Sequence, residues 1–217
     1  MAMCLILPLL MCYALAGELL HEHAGMLTGC LFAIHLWLNR GWIRAIARGR
    51  YRARRTVLTA VVVALASSMV ITMVTGVLSS RYLFPALSAQ LGSPVIEVAH
   101  MSAAHWAFLL ASAHAGLNLA GLMTRVVRRS GKVRSRALLV VGAAWAAYGT
   151  WAFFSLGVPR YLLAQNHFAI IDFAEPAWHC MLDYCSIMVA VAVLAAFAAR
   201  TTRPKPRAKR PSDTNNA

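Results

Sequence analysis

Six long apolar runs divide the chain, at roughly residues 3–19, 21–39, 56–80, 98–124, 137–157 and 177–199, with short polar stretches between them. Most are long enough to cross about 30 Å of hydrocarbon, while the first two are shorter and separated only by a turn over Gly17–Leu20. A bilayer offers no partner for unpaired backbone groups, so each run is predicted to be an α-helix. The pattern predicts an all-α polytopic membrane bundle of six transmembrane helices over residues 1–200. The remaining 201–217 make a basic cytoplasmic tail too polar to pack, expected to be disordered and to touch anionic headgroups.

Charge placement orients the bundle. The stretch 40–55 holds seven arginines, 125–136 holds six lysines and arginines, and Arg200–Arg210 six more. The connections around 18–22, 81–97 and 158–176 carry only Arg81 and Arg160, together with Glu18, Glu22, Glu97, Asp172 and Glu175. The two kinds alternate strictly. Because lysine and arginine stay on the cytoplasmic side, both termini are predicted to be cytoplasmic and the protein integral to the cytoplasmic membrane. A net charge of +14 would suit nucleic acid, but it is parcelled between apolar runs in a chain that is 60% hydrophobic, with a mean hydropathy of +0.62. Membrane lipid is therefore the expected partner, and nucleic acid is not. The first run has the length of a signal-peptide core, but no basic residue precedes it, so it reads as a first helix. Trp37, Trp42, Trp151 and Trp178 fall near predicted helix ends, where indole rings favour the interface.

The costly residues inside the apolar runs are histidines. His21 and His35 are 14 residues apart, close to four turns and roughly 21 Å along one helix face. His100 and His114 repeat the interval. The predicted topology runs the second and fourth helices in the same direction, so His21 and His100 match in depth near the outer face and His35 and His114 nearer the cytoplasm. Each pair is expected to hold the iron of one haem from both sides. The result is a cytochrome b-like four-histidine core with two non-covalent b-type haems and no coordination position open to substrate. His23 and His105 miss this register, His23 by about 120° from His35 and His105 by lying opposite His114. Gly25, Gly29, Ala103, Ala107, Ala111, Gly116 and Gly121 would let a flat ring approach, although small residues also serve ordinary helix packing.

The competing chemistry is a haem-free transporter or sensor that uses intramembrane histidines for protons or a transition metal. HEHAG begins like a zinc-protease signature, but Gly25 stands where HExxH needs its second histidine. The five cysteines, at 4, 12, 30, 180 and 185, have no CxxC or CxxCH spacing, which argues against a disulfide framework and against covalently attached haem. Neither a GxGxxG turn nor a P-loop is present, so nucleotide and flavin chemistry would have to come from partners.

The segments GELLHEHAG, FAIHLWLNRGW, VTGVLSSRYLFP, HMSAAHWAFLLASAHAGLN, YGTWAFF and NHFAIIDFAEPAWHCMLDYCSIM follow one another along nearly the whole chain. In that order they resemble the flavinylation-associated cytochromes, a family of small bacterial membrane proteins. The last segment is close to the family pattern HF-x-x-x-D-F-x-x-P followed by a membrane LDY. The resemblance implies a di-haem b-type bundle that relays electrons across the bacterial cytoplasmic membrane, associated with extracytosolic domains bearing covalently bound flavin. Carried over by motif, the iron ligands are His21, His35, His100 and His114, the four that spacing selects. The chain departs from the pattern at HAGLN, where Asn118 replaces a second histidine of HxGxH. It departs again at HCMLDY, where His179 replaces an aromatic residue.

Haem propionates need cationic or hydrogen-bonding partners when buried. Arg81 and Arg160 are the expected contacts of the outer haem, and Arg40 is the nearest cation to the inner one, where an ordinary positive-inside arginine is also expected. Asp183, the one carboxylate predicted within a span, is expected either to orient a ligand histidine or to bond Tyr184 or a neighbouring helix. His167, Asp172 and Glu175 form a looser outer group suited to quinol protons or to docking a flavoprotein. The expected function is transmembrane electron transfer to or from an extracytosolic flavoprotein or the quinone pool. As an enzyme the protein would be at most the membrane electron-transfer subunit of an oxidoreductase.

Overall fold

The computed structural model describes residues 2–46, 48, 51–129, 132–166 and 176–201. Among these residues every regular element is an α-helix: α1 (Ala2–Met11), α2 (Tyr13–Leu38), α3 (Arg40–Ala45), α4 (Ala53–Ser79), α5 (Pro85–Leu91), α6 (Pro94–Arg129), α7 (Lys132–Ser155), α8 (Val158–Leu162) and α9 (Ala177–Thr201). Four of them contain stretches long and apolar enough to cross a membrane, over Ala53–Ser79, Pro94–Leu119, Arg136–Ser155 and Trp178–Ala199. Their outward faces carry Val140, Leu194 and Phe197, each more than 60% exposed, while the interior holds Ala103, Ala107, Ser112 and Ser186. Large apolar side chains outside and small ones within are what a lipid solvent selects. The chain is a membrane protein.

The first two runs differ from expectation. α1 has ten residues, a rise of roughly 15 Å, and ends where Cys12 leaves helical geometry. The turn expected over Gly17–Leu20 is made by Gly17 alone, at φ 65° and ψ 168°. A residue without a Cβ adopts that left-handed conformation at no steric cost. Residues 18–20 therefore join α2, whose outer turns carry Glu18, His21, Glu22 and His23. Those polar groups leave α2 outside the four stretches that are long and apolar enough to cross.

The basic run at 125–136 is mostly helix rather than loop, because α6 continues to Arg129 and α7 begins at Lys132. Lysine and arginine are good helix formers, and their long stems reach water without the backbone unwinding. The segment from 158 is anchored: Val158 and Tyr161 are buried, and the Leu162 carbonyl accepts from Trp106 Nε1 at 3.1 Å and Ser102 Oγ at 3.4 Å. His167, Asp172 and Glu175, and the tail from 202, lie outside the described residues.

α6 is the hub, packing along α4 on one side and α9 on the other, with α7 laid against α9. α2 rests on α4, and α1 touches α2, α6 and α9. Close approach depends on small residues. A Cβ on Gly116 would strike the backbone of Ala192, and one on Gly149 would strike the backbone of Ser186. Thr28, Thr72, Ser112 and Ser186 bond the carbonyl four residues earlier, which satisfies hydroxyls in an apolar interior without breaking the helix ladder.

Candidate functional site

His21 and His100 face each other, their ring centroids 6.2 Å apart and their planes at 72°. They flank a cavity of about 420 Å³ walled by α1, α2, α4, α6, α8 and α9. Two metal–imidazole bonds of about 2 Å hold the centroids of a bridged pair roughly 6 Å apart. Cofactor sites span roughly 300–1,000 Å³. On both measures the residues fit a bis-imidazole haem centre.

The wall orients the ligands. Nδ1 of His100 donates to the Thr72 carbonyl at 3.0 Å, with Thr75 Oγ1 at 3.3 Å. That bond assigns the tautomer and leaves Nε2 with its lone pair free, as a metal-ligating histidine requires. The ring fits because residue 76 is glycine: a Cβ there would lie 3.0 Å from His100 Cε1 and 3.3 Å from Nδ1. Tyr13 packs edge-on to His21 at 5.3 Å. His21 Nδ1 is buried without a well-formed hydrogen bond, the Leu10 carbonyl being its nearest backbone acceptor. A buried imidazole nitrogen left in that condition is costly.

Glu22, beside His21, fastens α2 to the end of α4. Its carboxylate accepts from Ser80 Oγ and the Arg81 amide, both at 2.7 Å, and from the amides of Leu83 at 2.9 Å and Tyr82 at 3.2 Å. These amides belong to an irregular turn with no ladder to satisfy them, so the acceptor must come from another element. Arg81 lines the cavity mouth, but its guanidinium pairs with Glu18 at 3.2 Å and Glu97 at 3.7 Å. The arginine side chain is 65% exposed. Such pairs are worth under about 1 kcal/mol each, which leaves the guanidinium able to exchange partners. Arg160 is exposed on α8 and is not among the residues lining this cavity.

The inner pair is more open. His35 is exposed in the last turn of α2 and His114 is half-buried. The two are near enough to interact electrostatically. Asn118, the residue that departs from the HxGxH pattern, donates to the His114 carbonyl at 2.8 Å and lies 3.4 Å from both ring nitrogens. Arg40 is exposed, donating to the Trp37 carbonyl at 3.1 Å and lying 4.7 Å over the Trp37 ring.

Two further groups were assigned by register or left open. His23 is exposed and bonds the Leu19 carbonyl at 2.7 Å. His105 lines the same cavity as His21 and His100, although register alone set it aside. Both its nitrogens are engaged, Nδ1 with the Met101 carbonyl at 2.7 Å and Nε2 with the Tyr184 hydroxyl at 3.5 Å, and its ring stacks on Tyr161 at 4.3 Å. It is a satisfied wall residue. Asp183 is buried and bonds a neighbouring helix: the Tyr148 hydroxyl donates to it at 2.6 Å and lies 3.3 Å from His179 Nε2. Sequence reasoning missed Thr72, Thr75 and Gly76. Their signal was present as two threonines and a glycine within five residues of one apolar run.

No family model, no curated protein and no solved structure matches the chain.

Proposed function

We propose that this membrane protein is a b-type cytochrome holding two haems, one between His21 and His100 and one between His35 and His114. It carries electrons across the cytoplasmic membrane, to or from an extracytosolic flavoprotein or the quinone pool. One observation carries the reading: imidazoles on different helices face across a cavity at the separation a shared metal needs, with one of them already in the ligating tautomer. Iron held between two imidazoles supplies one-electron transfer and leaves no position for a substrate. The chain's own residues fix the His100 ring through Thr72, hold α2 in register through Glu22, and line the site with Met73, Leu10 and Met11 against water. Six crossings with both termini cytoplasmic belong to the same reading. In this reading the whole stretch before Gly17 and the part of α2 after it supply the first two crossings, and all the arginine-rich stretches then lie on one side.

The test is a reduced-minus-oxidised absorption spectrum of protein purified from haem-supplied cells, with a pyridine haemochrome count. The expected result is a b-type spectrum with two haems per chain. A well-folded preparation without haem overturns the proposal and favours the haem-free transporter or sensor. Gly76→Val bears on the same site, because the new side chain pushes His100 off the Thr72 carbonyl. That variant is expected to lose one of the two haems while keeping the elution volume of the native chain. A full haem count with an unaltered spectrum would remove His100 from the ligand set.

A further inference from the structure

The fold joins two cysteines from opposite ends of the chain. Cys12, at the end of α1, and Cys180, in the first turn of α9, have sulfurs 2.7 Å apart. Cys12 is fully buried in a cluster with Phe108, Tyr184 and Ile187, against which Cys180 packs. Cys180 is half-buried and lines the cavity flanked by His21 and His100. One sulfur is thus reachable from the cavity and the other stands behind it, the arrangement of an attacking and a resolving thiol. A covalent bond of roughly 2 Å requires the sulfurs to approach by less than about 1 Å, with no helix displaced. Cys4, Cys30 and Cys185 are free thiols as well.

We propose that Cys12 and Cys180 are a redox-active dithiol in the cavity wall, oxidised by exchange with an external disulfide. The Cys180 thiolate attacks one sulfur of the incoming disulfide and expels the other as a thiolate, which takes up the Cys180 proton. Cys12 then attacks Cys180 Sγ in the mixed disulfide and expels the second thiolate, which takes up the Cys12 proton. The two cysteines lose two electrons and two protons, the external disulfide becomes two thiols, and a Cys12–Cys180 bond staples α1 to α9. No iron enters these steps.

The test uses the full chain in detergent, with glutathione disulfide as the oxidant. After oxidation the protein is denatured, alkylated with a maleimide, digested and mapped by mass spectrometry. Of the five thiols, two are expected to escape alkylation, with a single cross-linked peptide joining Cys12 to Cys180. Dithiothreitol is expected to restore all five, and denaturing the chain before oxidation to abolish the preference for this pairing. Alkylation of all five after oxidation overturns the proposal. So does a stable glutathione adduct on Cys180 without closure, or a bond from either cysteine to Cys4, Cys30 or Cys185. The readout is mass, so it is scored separately from the absorption spectrum, on chain purified with and without added haem.

Discussion

A His100→Ala chain is expected to purify with one haem, and the native chain with two. The loss is complete for that site, because a truncated ligand leaves the cavity without its pre-oriented nitrogen and the opposing His21 supplies only one bond. His21→Ala is expected to remove the same haem, and the double variant to lose no more than either single one, since both substitutions act on one centre. His35→Ala and His114→Ala are each expected to remove the other haem. Haemochrome counts with a redox titration of the remaining centre make the distinction. If His21 and His35 variants lose the same haem, or if His100→Ala keeps both, pairing across α2 and α6 is wrong. The contact at 6.2 Å between His21 and His100 makes the outer pair the sharper test. Among the described residues no such ring contact joins His35 to His114.

The largest effect on assembly is expected at Gly149. On α7, Trp145, Tyr148, Gly149 and Ala152 recur at helical spacing along the face that meets α9. Trp145 Nε1 donates to Ser186 Oγ at 2.7 Å, and Tyr148 donates to Asp183 at 2.6 Å. Between these bonds the backbones approach so closely that a Cβ on Gly149 would meet the Ser186 carbonyl and the Ile187 amide. The colliding group is backbone, which cannot rotate away, so Gly149→Val has to part the helices and break both hydrogen bonds. The cost is expected at about 3 kcal/mol, the upper end for overpacking. It should appear as a lowered thermal midpoint and aggregation on size-exclusion chromatography. Gly142→Val on the same helix is the control, since nothing lies within 4 Å of a Cβ there, and it should leave the midpoint unchanged. Equal behaviour of the two variants would remove the α7–α9 seam as a determinant of assembly.

Much of this architecture is legible from composition and period. The runs at 56–80, 98–124, 137–157 and 177–199 reappear as α4, α6, α7 and α9 with ends shifted by a few residues, because an apolar run in lipid has only helix available to it. The N-terminal region was harder to read. The helix breaks at Cys12 and again at Gly17, and single residues leave no run of polar positions to mark a turn. His21 and His100, matched in depth by counting residues, have ring centroids 6.2 Å apart in the structure. Angle around the helix was a weaker guide: it set His105 aside, yet that residue lines the cavity, because five other elements besides α6 wall the space. Asp183 illustrates the same limit. Its burial was readable from its place in an apolar run, but its partner Tyr148 comes from a helix 35 residues earlier.

By itself the sequence determined that the protein is helical and lies in a membrane, where its cations cluster, and which histidines share a depth. Those properties depend on composition and on residues a few turns apart, where a fixed rise per residue converts counting into distance. Only the tertiary structure decided that the Thr72 carbonyl orients His100, that Gly76 leaves room for its ring, and that Glu22 ties α2 to α4. It alone set Cys12 against Cys180. Each depends on the order in which helices pack and on the rotation of each about its own axis. Packing of small residues such as Gly116 and Gly149 sets those quantities, and no local period encodes them.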